Sequence, residues 1–517
     1  MSDAPSLLTE SLEAYRIEAN TASSPPKEEP AKRLKAIDRT QCFWGAIDIE
    51  KLIEEDHPAR GIWAMVNQLD LRRLEEKIKA VEGRAGQNSL NPRLLMSLWI
   101  YGYSEGINSA RELSRMCEYE PGCQWLTGMQ TMNYHTLSDF RVEHQQELDE
   151  IFVQVLGLLS AEGFIEMKRI TQDGTKVKAH AGNHSFRREE RIRQHLQLAR
   201  EQVDAMGSPE SEELSQRIIQ ARKRASREKK QRLEEALKEL ERIQKARAES
   251  KKDQARVSET DPEARVMKQA DGGFAPSYNV QISTDTANGI IVGVDVTQVG
   301  NDCDQLMNGI QRVEANTGQT PQQVLVDGGY TMKNSNIEAM AERGIDLNGP
   351  VTENNNEASF KQRGIHPEFY PDKFRYDETT DTLRCPADQT LKLHRTRPCD
   401  GRIEYTYRAL TADCRACRFQ DRCCPKNSPR MVVRKEDSPA VTAFRAKMET
   451  EQAKQLYRTR AQIAEFPHAW IKEKLGLRRF RLRGRQKVRA EAVWACLTYN
   501  VQQWLRLAWR RSVQATA

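Results

Sequence analysis

Val324-Leu-Val-Asp-Gly-Gly-Tyr330 is an apolar run that stops at an acid and two glycines. Its aliphatic residues have the branching and length of a short buried strand. Asp327 then stands at the carboxyl end of that strand, where open α/β sheets bind their ligands. Glycines 328 and 329 let the backbone approach a substrate closely. Upstream, Lys168-Arg-Ile-Thr-Gln-Asp-Gly-Thr-Lys-Val-Lys178 alternates as another strand, centred on Asp173. Between them, Tyr278-Asn-Val-Gln-Ile-Ser-Thr284 and Ile290-Ile-Val-Gly-Val-Asp-Val-Thr297 flank a turn and pair as a hairpin. A helix is expected near 305–315 and a weaker strand at Ile345-Asp-Leu-Asn348. Such an order makes a mixed sheet flanked by helices, an α/β layer architecture.

The rest of the chain is organised around this sheet. Residues 1–40 read as a flexible leader, with Ser23-Ser-Pro-Pro-Lys-Glu-Glu-Pro30 poor in apolar groups. Residues 41–165 read as an all-helical N-terminal domain, in which Asn91 caps a helix that opens with Pro92. Short helices with exposed arginines resemble helix-turn-helix units, an arrangement many helical bundles share. Residues 185–258 form a basic helical insertion, broken near Gly207. Residues 355–440 form a cysteine-rich insertion. The catalytic domain is then assembled from 166–350 and 445–510. The final helix carries Val493, Leu497, Val501, Trp504 and Leu505 on one side, as core or packing surface.

Charge narrows the function class. The net charge is only +6, but from Arg478 to Arg489 seven of twelve residues are Arg or Lys and none is acidic. Arg478, Arg479, Arg481 and Arg483 head this run. A run of one sign repels itself unless an anionic partner faces it, so a phosphate-facing patch is the reading preferred over a solvated helix end. Between Gln220 and Lys252, thirteen Lys/Arg stand against six Asp/Glu. No apolar stretch reaches the roughly 18 residues of a membrane span, and no signal-peptide pattern opens the chain. A cytoplasmic protein is expected, nucleoid-associated when bound to DNA.

Glu465 joins the two aspartates as a third acid in a distinctive frame. On an ideal helix Tyr457, Arg460, Glu465 and Lys472 fall within a roughly 140° arc. Pro467 is expected to kink that helix, so the shared face is set by Tyr457, Arg460 and Glu465 more than by Lys472. Asp173-Gly-Thr-Lys176, Val326-Asp-Gly-Gly-Tyr330 and this Tyr/Arg/Glu/Lys signature resemble the acidic-triad (DDE) transposases of bacterial insertion sequences. The resemblance covers about residues 45–510. Ser109-Ala-Arg-Glu-Leu113 and Thr136-Leu-Ser-Asp-Phe-Arg141 are similar to that family's pre-catalytic region. Four residues separate Arg460 from Glu465, where many relatives have three.

The resemblance implies a ribonuclease H-like core and metal-dependent cleavage and strand transfer at the ends of an element. It implies two Mg²⁺ (or Mn²⁺) ions, which as hard cations take oxygen ligands. Asp173 would bridge both ions, and Asp327 and Glu465 would each complete one. Tyr457, Arg460 and Lys472, with the basic run, would position double-stranded DNA, both element ends and target. Synapsis of two ends calls for a homodimer or larger assembly. Two rival readings are a DNA-binding descendant without catalysis and a nuclease of the same fold that cuts without joining.

Eleven cysteines in a chain without a secretion signal read as thiols or metal ligands. Cys385, Cys414, Cys417 and Cys423 are the favoured ligands of one structural Zn²⁺, with Cys424 or Cys399 as substitutes and free thiols as the alternative. Cys42, Cys117, Cys123, Cys303 and Cys496 read as small core residues.

Overall fold

A computed structural model describes residues 46–78, 80, 89–205, 216–351, 357–400, 402–426 and 428–512. The chain divides after Asp48 into two units, and the fold below is that of Ile49–Ala517. The expected leader (1–40), Cys42 and the break at Gly207 lie outside the described residues.

Helices α1 (Pro58–Asn67), α2 (Pro92–Ser104), α3 (Ala110–Tyr119), α4 (Pro121–Thr127), α5 (Tyr134–Glu143) and α6 (Gln145–Ala161) come first. The Asn91 side chain accepts from the Arg93 N–H at 2.8 Å, and Pro92 occupies the first turn. Cap and proline thus start α2 together.

The sheet follows: β1 (Arg169–Lys178), β2 (Arg265–Lys268), β3 (Phe274–Asp285), β4 (Ile291–Thr297), β5 (Gln323–Leu325) and β6 (Asp346–Asn348). Its order is β2–β3–β1–β5–β6, with β4 also paired to β3. The β3 pairings with β1, β2 and β4 are antiparallel, whereas β1–β5 and β5–β6 are parallel. A mixed sheet with this order is ribonuclease H-like. The parallel register pairs Thr171 with Leu325, so Asp173 and Asp327 both lie two residues beyond that pair. Helix α9 (Leu306–Thr317) is pressed onto the sheet so closely that Gly309 meets the Gln172 amide. Short α10 (Gly328–Thr331) and α11 (Asn334–Glu342) lead to β6.

The basic insertion is a helical hairpin of α7 (Glu189–Ala205) and α8 (Gln216–Lys245). Its base is closed by a two-residue ladder, Phe186–Arg187 against Val257–Ser258. Ile192, Leu196, Ala199, Leu233, Ala236 and Leu240 give it a core of its own. The cysteine-rich insertion is a separate antiparallel meander: β7 (Arg375–Asp377), β8 (Thr382–Arg384), β9 (Thr390–Pro398), β10 (Arg402–Ala409) and β11 (Met431–Asp437). Leu383, Leu391, Tyr407 and Val432 are buried at its centre.

Helices α12 (Pro439–Glu449), α13 (Glu451–Arg458), α14 (Arg460–Glu473) and α15 (Arg485–Trp504) end the fold. One expectation changes here. The interruption falls at Thr459, between α13 and α14, while Pro467 is carried inside α14. The stripe of α15 expected in the core is buried, and so is most of the rest of that helix, because it runs between β4 and the N-terminal helices α2 and α6. Its Trp494 stacks on Tyr103 at 6.4 Å, and Asn500 bonds both the N–H and the carbonyl of Ile291. Glu491, fully buried, is tolerated because its oxygens accept the N–H groups of Arg481 and Leu482 at 3.0 Å.

Candidate active site

Asp173 is the centre of the site. It leaves β1 toward α14, and its side chain is 16% exposed. One oxygen accepts from the Gly174 N–H at 2.9 Å and lies 3.2 Å from the Arg460 guanidinium. The other lies 3.8 Å from His468 Nε2. Burial raises the Asp173 carboxyl to about 6, against the pull of Arg460 and with a further push from Asp327 and Asp302. Burial also drives the His468 imidazole down to about 3, aided by Lys472 and Arg460. The ring is therefore neutral, and its contact with Asp173 is not an ion pair at neutral pH.

Asp327 ends the β5 segment and caps α10, accepting from the Gly329 N–H at 2.9 Å. Tyr457, half-buried at the end of α13, is close enough to feel Arg460, Asp327 and Asp173. Burial raises its hydroxyl above the ordinary phenol range, with Arg460 opposing. Lys472 donates to Thr175 Oγ1, two residues beyond Asp173. Burial lowers its ammonium, and Arg478 lowers it further.

The face of α14 turned to β1 is thus Arg460, Ala464, His468 and Lys472, spaced by four. Ala464 and His468 are buried. Glu465 stands on the flank of that face, about 20° around from Lys472 on an ideal helix, and is exposed to solvent. The structure therefore brings Asp173, Asp327, Tyr457, Arg460 and Lys472 together, with Glu465 at the rim. Among the described residues no three His, Cys, Asp or Glu side chains stand as a ready metal cage. Two neighbouring carboxylates fit a hard cation in donor type, and the third acid is not closed upon them.

The basic run continues from this edge. The Lys178 N–H donates to the Arg478 carbonyl and the Phe480 N–H to the Lys178 carbonyl, so the run docks against the end of β1. Phe480 is buried while Arg478, Arg479, Arg481 and Arg483 are exposed. Arg478 pairs with Glu473, and Arg481 Nε donates to Asn108. Arg483, Gly484 and Lys487 form one wall of a groove of about 630 Å³, and Arg232, Lys238 and Arg242 of α8 line it opposite. Acidic Glu228, Glu235, Glu239 and Glu263 share that lining.

Residues 384–505 match the family described as Transposase DDE domain, and residues 47–143 match a transposase domain, DUF772. The two matches together span less than half of the chain, and over them it is similar to the DDE transposases. The first match contains Tyr457, Arg460, Glu465, Lys472 and the clustered cysteines. Asp173 and Asp327 lie between the two matches and rest on the fold. Among curated proteins none matches the chain. No described helix is long and apolar enough to cross a membrane, and the similarity to transposases implies a DNA partner.

In the cysteine-rich insertion, Cys385, Cys414, Cys417, Cys423 and Cys424 line one cavity of about 30 Å³. Backbone N–H groups of Gln389, Arg430 and Phe419 donate to the sulfurs of Cys385, Cys414 and Cys417 at 3.3, 3.4 and 3.5 Å. Cys399 lies elsewhere, at the β9–β10 turn, where its N–H bonds the Arg402 carbonyl. Cys117, Cys123 and Cys496 are buried, and Cys303 is partly exposed.

Sequence reasoning missed His468 and Asp302. His468 had no signal beyond its i+8 spacing from Arg460. Asp302 offered only an acid in the loop leaving a buried strand, and its neighbours come from three other strands and helices.

Proposed function

We propose that this chain is a transposase that cleaves DNA at the ends of its element and joins them to target DNA. Asp173, Asp327 and Glu465 would hold two Mg²⁺ or Mn²⁺ ions. The observation that carries the reading is the adjacency of Asp173, midway along β1, and Asp327, just beyond the parallel strand β5, beneath the helix that bears Glu465. Bound there, the ions supply activation of the attacking oxygen and charge neutralisation at the leaving oxygen. The chain's own groups do the rest. Arg460 lies 3.2 Å from Asp173 and offsets its charge. Tyr457 and Lys472 border the acids and are available to phosphate oxygens. Arg478, Arg479, Arg481 and Arg483 extend this cationic edge along the duplex. Two bound ends per reaction imply action as a dimer or larger assembly.

From the paired spacing of the cysteines we also propose one structural Zn²⁺ held by Cys385, Cys414, Cys417 and Cys423. Burial raises the Cys414 thiol, and the Arg430 N–H opposes that shift. Such an ion would brace an insertion whose apolar core is small.

The test uses the full chain and the DNA flanking its own coding region, with Mg²⁺. Asp173→Ala, Asp327→Ala and Glu465→Ala should each lower cleavage on the order of 100-fold or more, with end binding retained. A wild-type cleavage rate in any of the three would overturn the assignment of that acid.

A further inference from the structure

Behind the acid pair, on the opposite face of β1, the Asp302 carboxylate occupies the space that glycine leaves at 174. A Cβ on Gly174 would meet Asp302 Oδ1 at 2.2 Å and the Gln281 amide nitrogen at 2.4 Å. A Cβ on Gly329 would sit 3.7 Å from the Asp302 Cβ. Asp302 is therefore wedged between the backbone that follows Asp173 and the backbone that follows Asp327.

Its hydrogen bonds have a direction. Asp302 Oδ1 accepts from Asn279 Nδ2 at 2.8 Å and from Gln281 Nε2 at 2.6 Å. Holding the Gln281 nitrogen turns the Gln281 oxygen the other way, where it accepts the Tyr330 hydroxyl at 2.5 Å. Tyr330 is fully buried and lies in α10, the helix that Asp327 caps. Gln281 stands directly opposite Gly174 in the β1–β3 register. An amide can face only one way at a time, so the acceptor at 302 decides whether Tyr330 finds its partner.

We propose that Asp302 is a positioning residue of the catalytic site, fixing Asp173 and Asp327 relative to one another through Gly174 and the Gln281–Tyr330 relay. This rests on the reading of those two acids as the catalytic pair. Asp302 itself touches no reacting atom; it sets the carboxylate spacing by shape and by one chain of hydrogen bonds.

Asp302→Ala removes the acceptor, while Asp302→Asn keeps an oxygen that can hold both amides. Asp302→Ala should lower the cleavage rate at saturating DNA on the order of 100-fold, as misplacement of reacting groups by about 1 Å does. Asp302→Asn should stay near wild type, and end affinity should be unchanged in both. Mn²⁺ binding, read by electron paramagnetic resonance, should weaken on the order of 10-fold in Asp302→Ala and hold in Asp302→Asn. Adding Tyr330→Phe to Asp302→Ala should bring little further loss, because both cut the same relay. Should Asp302→Ala not fold, Gln281→Met breaks the relay without burying a new charge and should give the same losses. If Asp302→Ala cleaves like wild type while Asp173→Ala is inactive, the inference fails. It also fails if the Tyr330→Phe and Asp302→Ala losses multiply. If Asp173→Ala cleaves normally, the reading of the acids fails instead.

Discussion

Gly309→Ala pits a local gain against a tertiary loss. Alanine in place of glycine inside α9 favours the helix by about 1 kcal/mol. The new Cβ, however, would stand 1.9–2.2 Å from the three amide atoms of Gln172. That side chain is fully buried and cannot swing into solvent. It accepts from Ser283 Oγ at 3.0 Å and donates to the Gln305 carbonyl at 3.2 Å. Displacing it costs about 1 kcal/mol for each bond lost, and overpacking adds about 1–3 kcal/mol. The net expectation is destabilisation by roughly 2–4 kcal/mol. Urea unfolding followed by tryptophan fluorescence measures it. Because Gln172 precedes Asp173, cleavage should fall as well. Adding Gln172→Ala makes room for the methyl, so the double variant should be more stable than Gly309→Ala alone. A single variant as stable as wild type would refute the close α9–sheet packing on which this rests.

Asp173 gives a pH signature. Its carboxyl, ordinarily at 3.8, sits at about 6 in the metal-free fold, so the native state holds the proton more tightly than the unfolded chain. Stability from this group is present below about pH 4 and lost as pH rises through about 6, amounting to about 2–3 kcal/mol after allowing for its partial exposure. In EDTA, Asp173→Asn should therefore melt above wild type at pH 8 and close to it at pH 4; equal melting at both would count against the buried carboxylate. Arg479→Glu and Arg483→Glu should weaken end binding and lower the slope of log K against log salt by about 1 per lost phosphate contact. Arg489→Gln should leave that slope alone, since Arg489 pairs with Asp149 and Asp295 within the fold. Elemental analysis after gentle purification should find about one zinc per chain, lost in Cys414→Ser and Cys417→Ser; a zinc-free wild type would remove the ion from the insertion.

Local pattern alone was enough for much of this chain. Alternation around Asp173, the apolar run ending at Asp327 and the hairpin between them are short-range signals, and their order specifies the sheet. The Asn91-Pro92 start of α2 is likewise a matter of neighbouring residues. The basic run and the cysteine spacing are visible as composition. What sequence could not decide is which side chains meet. Helical periodicity placed Glu465 with Arg460, yet rotation and docking of α14 turn His468 and Lys472 inward and leave Glu465 at the rim. The apolar stripe of α15 lies in the core as its pattern suggested, but burial of the helix's other side follows only from its place between two layers. Asp302 acquires its place only when β1, β3 and α10 converge on it, since contact between residues far apart in the chain is set by packing and not by any local preference.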